Sequence, residues 1–337
     1  MKSKVTIKDV AKKAGVSIST VSRVMNKKVD GSIDISVSTV EKVLKAATEL
    51  GYRRNPLASA LHSNKTGLVG VVVRDISDPF LNKMLMELQH QFQAYKQELF
   101  IGQSNDNDAI SEKQLSVMID HWFDGLIILT EINQVFIDEI EDKNIPYVTV
   151  YGTLMETYGP SVQTNDKQGI EEVMAYLKKC NHKKIGYIGL DNLGNRHRKD
   201  IFMEIASPEF VKQEWIREIN SLEEVDAYVK YFSTLEDRPT ALFCSNDSVA
   251  IHVMMLCNKM GIDVPKDLSI IGFDDIKAAS NVYPTLTTVR QPYRELASQA
   301  ISIVMNRIDN KEDIEKELKI LNPSLVIRES CTAIDDE

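Results

Sequence analysis

The chain has 337 residues, 43% hydrophobic and 26% charged, a composition typical of soluble globular proteins with two or three cores. It begins with a polar, amphipathic segment rather than an apolar stretch of signal-peptide or membrane-span length, which predicts a cytoplasmic protein with no membrane association. Cys180, Cys244, Cys257 and Cys331 are far apart and form no CxxC pair, which argues against a metal or redox centre and predicts buried free thiols.

The charge is divided unevenly along the chain. Residues 1–62 contain 12 Lys or Arg and 5 Asp or Glu, a net charge of +7, so the total of −9 leaves −16 for the remainder. Phosphate groups attract the first segment and repel the rest. The sequence therefore predicts that only the first segment approaches a polyanion.

The basic segment begins with two short helical patterns. Thr6 can cap a first helix together with Asp9, three positions later, and Gly15 ends that helix. Ser17 can cap a second helix, whose inward side carries Val21 and Val24. Its opposite side carries Ile18, Ser19, Ser22, Arg23 and Asn26.

A third helix is predicted before Gly51. Its apolar stripe consists of Val40, Val43, Leu44, Ala47 and Leu50. Two short helices joined by a glycine turn, with a third closing the core, are the arrangement of a helix-turn-helix DNA-binding domain.

The string TIKDVAKKAGVSISTVSRVMN, residues 6–26, closely resembles the DNA-reading headpiece of the LacI/GalR family of bacterial transcription regulators. The resemblance implies that Ile18, Ser19 and Arg23 meet base edges in the major groove, where Arg can bond guanine twice and Ile can cover a thymine methyl group. It also implies that other residues position the helix on phosphates: Thr6, Ser17, Thr20, Ser22 and Asn26. The loop of residues 27–35 is several residues longer than usual in the family; Lys27 and Lys28 there either contact phosphates or are solvated.

The string ELGYRRNPLASAL, residues 49–61, resembles the hinge helix of the same family. A segment this short is marginal as an isolated helix. The resemblance implies that two such helices of a dimer enter the minor groove, where Leu61 is a wedge between base steps. Tyr52, Asn55 and Ala58 are also expected to contact DNA. Alternatively, Leu61 is a linker residue that packs on the next domain.

From Leu68 onward, apolar runs alternate with amphipathic helical stretches, as in a parallel sheet covered by helices on both faces. Two such series imply two similar lobes, with a ligand cleft between them at the carboxyl ends of the strands. Strands are predicted for Leu68–Val73, Leu99–Gln103, Leu126–Leu129, Tyr147–Val150, Lys184–Gly189, Ala241–Cys244, Ser269–Phe273 and, last, Ser324–Arg328.

Three strings in this part resemble the sensor of the same family: RPTALFCSND, GIDVPKDLSIIGFDD and PTLTTVRQP. The resemblance thus covers nearly the whole chain and implies a type I periplasmic-binding-protein-like, two-lobed α/β sensor after an all-α headpiece. The domains expected are residues 1–52 (helix-turn-helix), 53–65 (hinge helix and linker) and 66–337 (effector binding and dimerisation). Crossings near residues 161, 290 and 322 divide the sensor into lobe 1, about 66–160 and 290–321, and lobe 2, about 161–289 and 322–337.

The resemblance also implies that the effector lies between Phe80, Arg198, Asn246 and Asp274. Asp274 and Asn246 suit paired sugar hydroxyls, Arg198 can fix an oxygen or a phosphate, and Phe80 offers an apolar face or belongs to the lobe core. We interpret Asp247 and Asp275 as structural caps. Four histidines without metal-ligand spacing are interpreted as surface or packing residues: His121, His182, His197 and His252.

The sensor departs from the family pattern at Asn165-Asp166, at Tyr151-Gly152 and at Ile201, which replaces a usual glycine. These departures predict that the effector chemistry of this chain has been retuned, and a particular ligand does not follow from the resemblance.

The leading interpretation is a repressor of carbohydrate-utilisation genes that binds a pseudo-palindromic operator and is controlled by a sugar or a sugar phosphate. The alternatives are an activator or a corepressor-dependent global regulator of the same architecture, or a purine-responsive repressor. No Walker loop, nucleophile elbow or zinc signature supports an enzyme, so no catalytic residue, cofactor or metal is expected. Because no leucine heptad follows the last strand, we expect a homodimer rather than a tetramer.

Overall fold

The computed structural model describes residues 5–25, 35–52, 65–95, 97–105, 107–121, 123–151, 159–207, 209–310 and 317–334. The chain divides into two compact units, Met1–Thr66 and Gly67–Glu337. Within the described ranges, no helix is both long and apolar enough to cross a membrane.

The described residues of the first unit form three helices, α1 (Ile7–Ala14), α2 (Ile18–Met25) and α3 (Val37–Leu50). The N–H and the hydroxyl of Thr6 both donate to the Asp9 carboxylate, at 2.8 and 2.7 Å, which fixes the start of α1 as predicted. Gly15 ends α1 with a φ of 68°, a left-handed conformation that glycine adopts without strain. The core of this unit forms where the three helices meet, around Val10, Val21 and Val43.

The apolar stripe predicted for α3 is wrong at one position. Leu44 is exposed, whereas Ala46, which lay outside the predicted stripe, is buried. Val43, Ala46 and Ala47 are three and four residues apart and so form one face, and Leu44 is rotated from Val43 by about 100° around the helix axis.

The second unit contains two six-stranded sheets, and the first of them is entirely parallel. Its strands are β1 (Leu68–Val73), β2 (Glu98–Gln103), β3 (Gly125–Leu129), β4 (Tyr147–Tyr151), β5 (Ser161–Thr164) and β11 (Leu318–Leu321), in the order β11-β5-β4-β3-β1-β2. The helices α4 (Pro79–Phe92) and α11 (Tyr293–Asn310) pack on one face, and α5 (Asp108–Asp120) and α6 (Gln134–Asp142) on the other. This sheet and its helices form lobe 1.

The second sheet has the same layered construction. Its strands are β6 (Ile185–Leu190), β7 (Ile216–Ile219), β8 (Ala241–Cys244), β9 (Ser269–Asp274), β10 (Thr287–Arg290) and β12 (Ser324–Val326), in the order β12-β10-β9-β8-β6-β7. Only the pairing of β12 with β10 is antiparallel. The helices α7 (Asp166–Lys179) and α8 (Leu193–Ile205) cover one face, and α9 (Val225–Ser233) and α10 (Asp247–Met260) the other. Short 3₁₀ turns lie at Gln93–Tyr95, Gln213–Trp215, Leu222–Glu224 and Lys277–Ser280.

The predicted fold class is confirmed, with shifts in detail. The last strand ends at Val326 rather than at Arg328, and four strands were not predicted: β5, β7, β10 and β11. The first crossing between lobes follows Thr164 and not residue 161, because β5 pairs with β4 and β11 in the first sheet. Residues 161–164 therefore belong to lobe 1. The other crossings follow Arg290 and Leu321, between strands of different sheets.

Gly272→Ala should destabilise lobe 2 strongly, because a Cβ at this position in β9 would lie 2.2 Å from Oδ1 of Asp247. The Thr288 hydroxyl and the Ile276 N–H hold that fully buried carboxyl group at 2.5 and 2.8 Å, so it cannot move aside freely. The expected loss is about 1–3 kcal/mol, as for other overpacked cores.

Urea unfolding followed by tryptophan fluorescence would measure this loss, since Trp215 is buried in the second unit. Gly70→Ala is the matched control, because the added Cβ would meet first the thioether of Met118, the far end of a flexible side chain. Equal losses in the two variants would contradict the role given to the buried carboxyl group of Asp247.

Candidate functional site

The helix α2 starts and packs as its sequence predicts. The hydroxyl oxygen of Ser17 accepts a hydrogen bond from the Thr20 N–H at 3.1 Å, which satisfies one donor of the first turn. Val21 and Val24 are buried against α1 and α3. The opposite side of α2 is therefore available to a partner.

The three residues predicted to read bases lie together on that side. Ile18 is 45% exposed, and Ser19 and Arg23 are exposed as well. Of the residues predicted to contact phosphates, Thr6 and Ser17 are exposed, and Thr20 and Ser22 are half-buried. Asn26 and the long loop that follows it, residues 27–34, lie outside the described residues.

The hinge is described only at its start. Tyr52 is half-buried after α3, and its N–H donates to the Ala47 carbonyl at 2.9 Å. Asn55, Ala58 and Leu61 lie outside the described residues, so their proposed contacts with the minor groove stay predictions.

A polar cleft lies at the carboxyl ends of the strands of both sheets in the second unit. Its cavity volume is about 140 Å³. A dry cavity of about 150 Å³ in a protein core holds a benzene-sized molecule, so this cleft has room for about one six-membered ring. All four residues predicted to bind the effector line it: Phe80, Arg198, Asn246 and Asp274.

Asp274 ends β9 with a φ of 107°, a backbone strain of the kind that is common at functional sites. Its Oδ1 accepts a hydrogen bond from Nε2 of Gln291 at 2.7 Å and lies 3.4 Å from Nη2 of Arg198. Burial raises the pKa of Asp274 to about 6, although Arg198 and Gln291 oppose this shift by stabilising the charge. At neutral pH the cleft therefore contains a buried carboxylate.

Arg198 on α8 lies between two carboxylates. Its Nη2 faces Asp274, and its Nε lies 3.7 Å from Oδ2 of the fully buried Asp166. Its Nη1 donates to the Ser245 carbonyl at 2.7 Å, and its guanidinium lies 3.9 Å from the ring centroid of Phe273. The guanidinium is thus fixed in position and in charge.

Asn246 and Phe80 have structural roles as well as a place in the cleft. Oδ1 of Asn246 caps α10 by accepting from the Val249 N–H at 2.9 Å, which leaves its amide hydrogens for a ligand. The ring of Phe80 lies 5.4 Å from that of Tyr293 and packs on the core of lobe 1. The two interpretations of Phe80, cleft residue and core residue, therefore both hold.

The two neighbouring aspartates are structural, but neither is a helix cap as predicted. Asp247 follows the cap residue Asn246, and burial, followed by the charge of Asp274, raises its pKa well above the usual value. Asp275 receives hydrogen bonds from Nε of Arg290 and Nη2 of Arg328, both at 2.6 Å. Burial would raise the pKa of Asp275, but these bonds outweigh it and the net shift is downward.

Sequence reasoning missed several residues that line the cleft. They share a position at the end of a strand, just after it, or at the start of the following helix: Arg74, Asp78, Thr130, Glu131, Tyr151, Asn192 and Asn195. Applying the rule that ligands bind at strand carboxyl ends to every strand would have found them.

The four cysteines are buried and free, as predicted. Among the residues that the structure describes, no group of three or more His, Cys, Asp or Glu is placed to hold a metal ion.

Three described helices, the second with one exposed side, followed along the chain by a two-lobed α/β unit with a cleft, are the arrangement of a helix-turn-helix reader joined to a ligand-binding sensor. Residues 6–55 match the family model of bacterial regulatory proteins of the lacI family, and residues 174–331 match that of the periplasmic binding protein-like domain. The HTH-type transcriptional repressor PurR of Haemophilus influenzae (strain PittEE) is 32% identical over 98% of this chain and 99% of its own. The chain belongs to the lacI family and is a DNA-binding transcription regulator.

Two solved structures are similar in fold. A lac repressor dimer bound to operator and the anti-inducer ONPF has a TM-score of 0.84 at 23% identity, over 98% of this chain and 99% of that one. A LacI family regulator from Enterococcus faecalis V583 with bound ribose has a TM-score of 0.70 at 23% identity, over 80% of this chain and 100% of that one.

Proposed function

We propose that the protein represses transcription by binding a pseudo-palindromic operator as a homodimer, and that a carbohydrate in the cleft controls this binding. The observation that carries the proposal is the cleft itself, in which a carboxylate, a guanidinium and an amide converge beside the ring of Phe80. Such a set of donors and acceptors suits the adjacent hydroxyls of a single sugar ring. A transcription regulator acts on chromosomal DNA, so the proposed location is the cytoplasm.

A purine is the second candidate effector. Relatives of the chain are named PurR repressors, and the Phe80 ring can stack on a flat base. Asp274 can accept hydrogen bonds from ring N–H groups as well as from hydroxyls. Calorimetric titration of the full chain with sugars and with purine bases would decide between the two classes.

Hydrogen bonds connect Asp274, whose carboxylate lines the cleft, to residues at the crossings between the lobes. Gln291 donates to Asp274 and accepts from the Thr164 hydroxyl at 2.6 Å. The Tyr293 hydroxyl donates to the Asp274 carbonyl at 2.8 Å. A ligand that binds Asp274 differently in two lobe arrangements would shift the balance between them, and only such differential affinity can change operator binding.

An apolar edge of lobe 1 supports the proposed homodimer. The strand β2 is at the edge of its sheet, and Phe100 and Ile101 on it are 52% and 53% exposed. Exposed edges of this kind favour pairing with another chain. Two copies would present two α2 helices to two half-sites, as a pseudo-palindromic operator requires.

Arg23→Ala tests the assignment of α2 to the major groove. The variant should lose about 1–3 kcal/mol of operator binding and its preference at one base position, because a two-bond contact to a base is lost. An operator selected from a random DNA library and its single-base variants would be compared by fluorescence anisotropy. Lys12→Ala, which removes an exposed charge from α1, is the control for a general charge effect. An unchanged base preference in Arg23→Ala would refute the assignment.

A further inference from the structure

The charged residues that line the cleft sum to a negative charge. Among the described lining residues, Arg74 and Arg198 are the cations, and Asp78, Glu131 and Asp274 are the carboxylates. Two positive and three negative groups give a formal net charge of −1, and the buried Asp166 behind Arg198 adds another negative charge.

Each of the two cations already has a carboxylate partner from this chain. Nη2 of Arg74 lies 2.6 Å from Oδ2 of Asp78, four residues later in the chain. Arg198 lies between Asp166 and Asp274, at 3.7 and 3.4 Å. A phosphate would therefore compete with carboxylates that are held in place by the fold, with the Arg198 pairs almost fully buried.

A phosphate ester carries a charge of about −1.5 to −2 at neutral pH. Binding a phosphate beside carboxylates in a partly buried site adds like-charge repulsion to the cost of removing the water around the phosphate. If the phosphate displaces a carboxylate from its arginine, that carboxylate is left as an unpaired buried charge. A neutral ring avoids both costs, because its hydroxyl or N–H groups donate to the carboxylates and its oxygen atoms or unprotonated ring nitrogens accept from the guanidinium while every ion pair stays intact.

We infer that the cleft selects an electrically neutral ring and rejects its phosphorylated form. The two guanidinium groups that would otherwise bind a phosphate are already paired with carboxylates, Arg74 with Asp78 and Arg198 with Asp166 and Asp274. The inference rests on the proposed function of the cleft as the effector site. It narrows the expected sugar or sugar phosphate to the unphosphorylated sugar.

Matched pairs of probes test the inference in the full chain by isothermal titration calorimetry. The pairs are ribose and ribose 5-phosphate, glucose and glucose 6-phosphate, and inosine and inosine 5′-monophosphate. In every pair that binds, the neutral member should bind at least about tenfold more tightly, a difference of about 1.4 kcal/mol.

Asp78→Asn is the decisive variant, because it removes the partner charge of Arg74 without removing the cap of α4. Oδ1 of Asp78 accepts from the N–H groups of Phe80 and Leu81 at 2.9 and 3.3 Å, and the amide oxygen of Asn can do the same. The variant should reduce the discrimination against the phosphorylated probe by about tenfold. Asp142→Asn, an exposed change of the same charge at the end of α6, should leave the discrimination unchanged.

The outcomes distinguish the inferred rejection of phosphate from the proposed carbohydrate effector. A phosphorylated sugar that binds as tightly as its neutral partner overturns the inference and leaves the carbohydrate proposal standing. A neutral purine that binds while no sugar does supports the inference and overturns the carbohydrate proposal. Equal discrimination in Asp78→Asn and Asp142→Asn overturns the inference, and binding of none of the six probes overturns both statements.

Discussion

Arg198→Met is expected to lower the free energy of unfolding of the second unit by about 3–5 kcal/mol, because removal of one partner leaves buried charges uncompensated. Two carboxylates depend on this guanidinium, Asp166 and Asp274, and the Arg198 side chain itself is only 7% exposed. Met keeps much of the side-chain length and its packing against the ring of Phe273. The loss therefore reports on charge rather than on an empty space.

Arg196→Met is the matched control on the same helix. Arg196 pairs with Asp191 at 3.0 Å, but its side chain is 53% exposed, and exposed ion pairs contribute about 0–1 kcal/mol. Urea unfolding of the two variants at pH 7, followed by tryptophan fluorescence, gives the comparison. If both variants lose the same free energy, the guanidinium of Arg198 is not what stabilises the buried carboxylates.

Asp274→Asn is expected to stabilise the fold at neutral pH while it weakens effector binding. The pKa of Asp274 is raised from 3.8 to about 6 by burial. Between these values the folded carboxyl group is protonated and the unfolded one is not, so stability falls as the pH rises through this window. Above pH 6 the wild type bears the full free-energy cost of keeping this carboxylate charged in a buried site, about 3 kcal/mol. The Asp274→Asn variant does not bear this cost, because the amide has no charge to bury. Unfolding in urea at pH 4 to 8 would show a gain that appears only as the pH rises.

The effector affinity of the same variant should fall at least about tenfold, because Asn offers one acceptor oxygen where the carboxylate offers two. Asp275→Asn is the control of opposite sign. The net pKa shift of Asp275 is downward, since Arg290 and Arg328 outweigh burial, so its charge stabilises the fold at neutral pH and this contribution is lost as the pH falls through the folded pKa. A loss of stability at pH 7 in Asp274→Asn would contradict the cost assigned to its burial.

The strands whose bounds were predicted best are β1 and β8, which are buried along almost their whole length. LVGVVV and ALFC are continuous apolar runs, and their predicted bounds agree with β1 and β8. The strands β5 (SVQT), β7 (IREI), β10 (TTVR) and β11 (LKIL) are short and partly polar. Three of them lead into crossings between lobes and the fourth lies at a sheet edge, so backbone pairing rather than an apolar pattern defines them.

The candidate effector residues were predictable because parallel strands end at one edge of a sheet. Asp274 ends a strand, Arg198 and Asn246 come after strands in sequence, and all three line one cleft. Their partners were not predictable in the same way: Asp166 and Gln291 lie 32 and 93 residues from Arg198 in sequence, and only the folded chain brings them together. The departure noted at Asn165-Asp166 thus falls on a residue that fixes the charge of the site.

Arg74 forms an ion pair with Asp78, so one substitution at Asp78 can change the charge that faces a ligand. An aspartate codon becomes an asparagine codon through one nucleotide exchange, and the helix cap survives that exchange. One mutational step would then weaken the distinction between an uncharged nutrient and its phosphorylated metabolic product. Gene duplication followed by this step offers a short route to paralogues that differ in how strongly they reject the product of a kinase reaction.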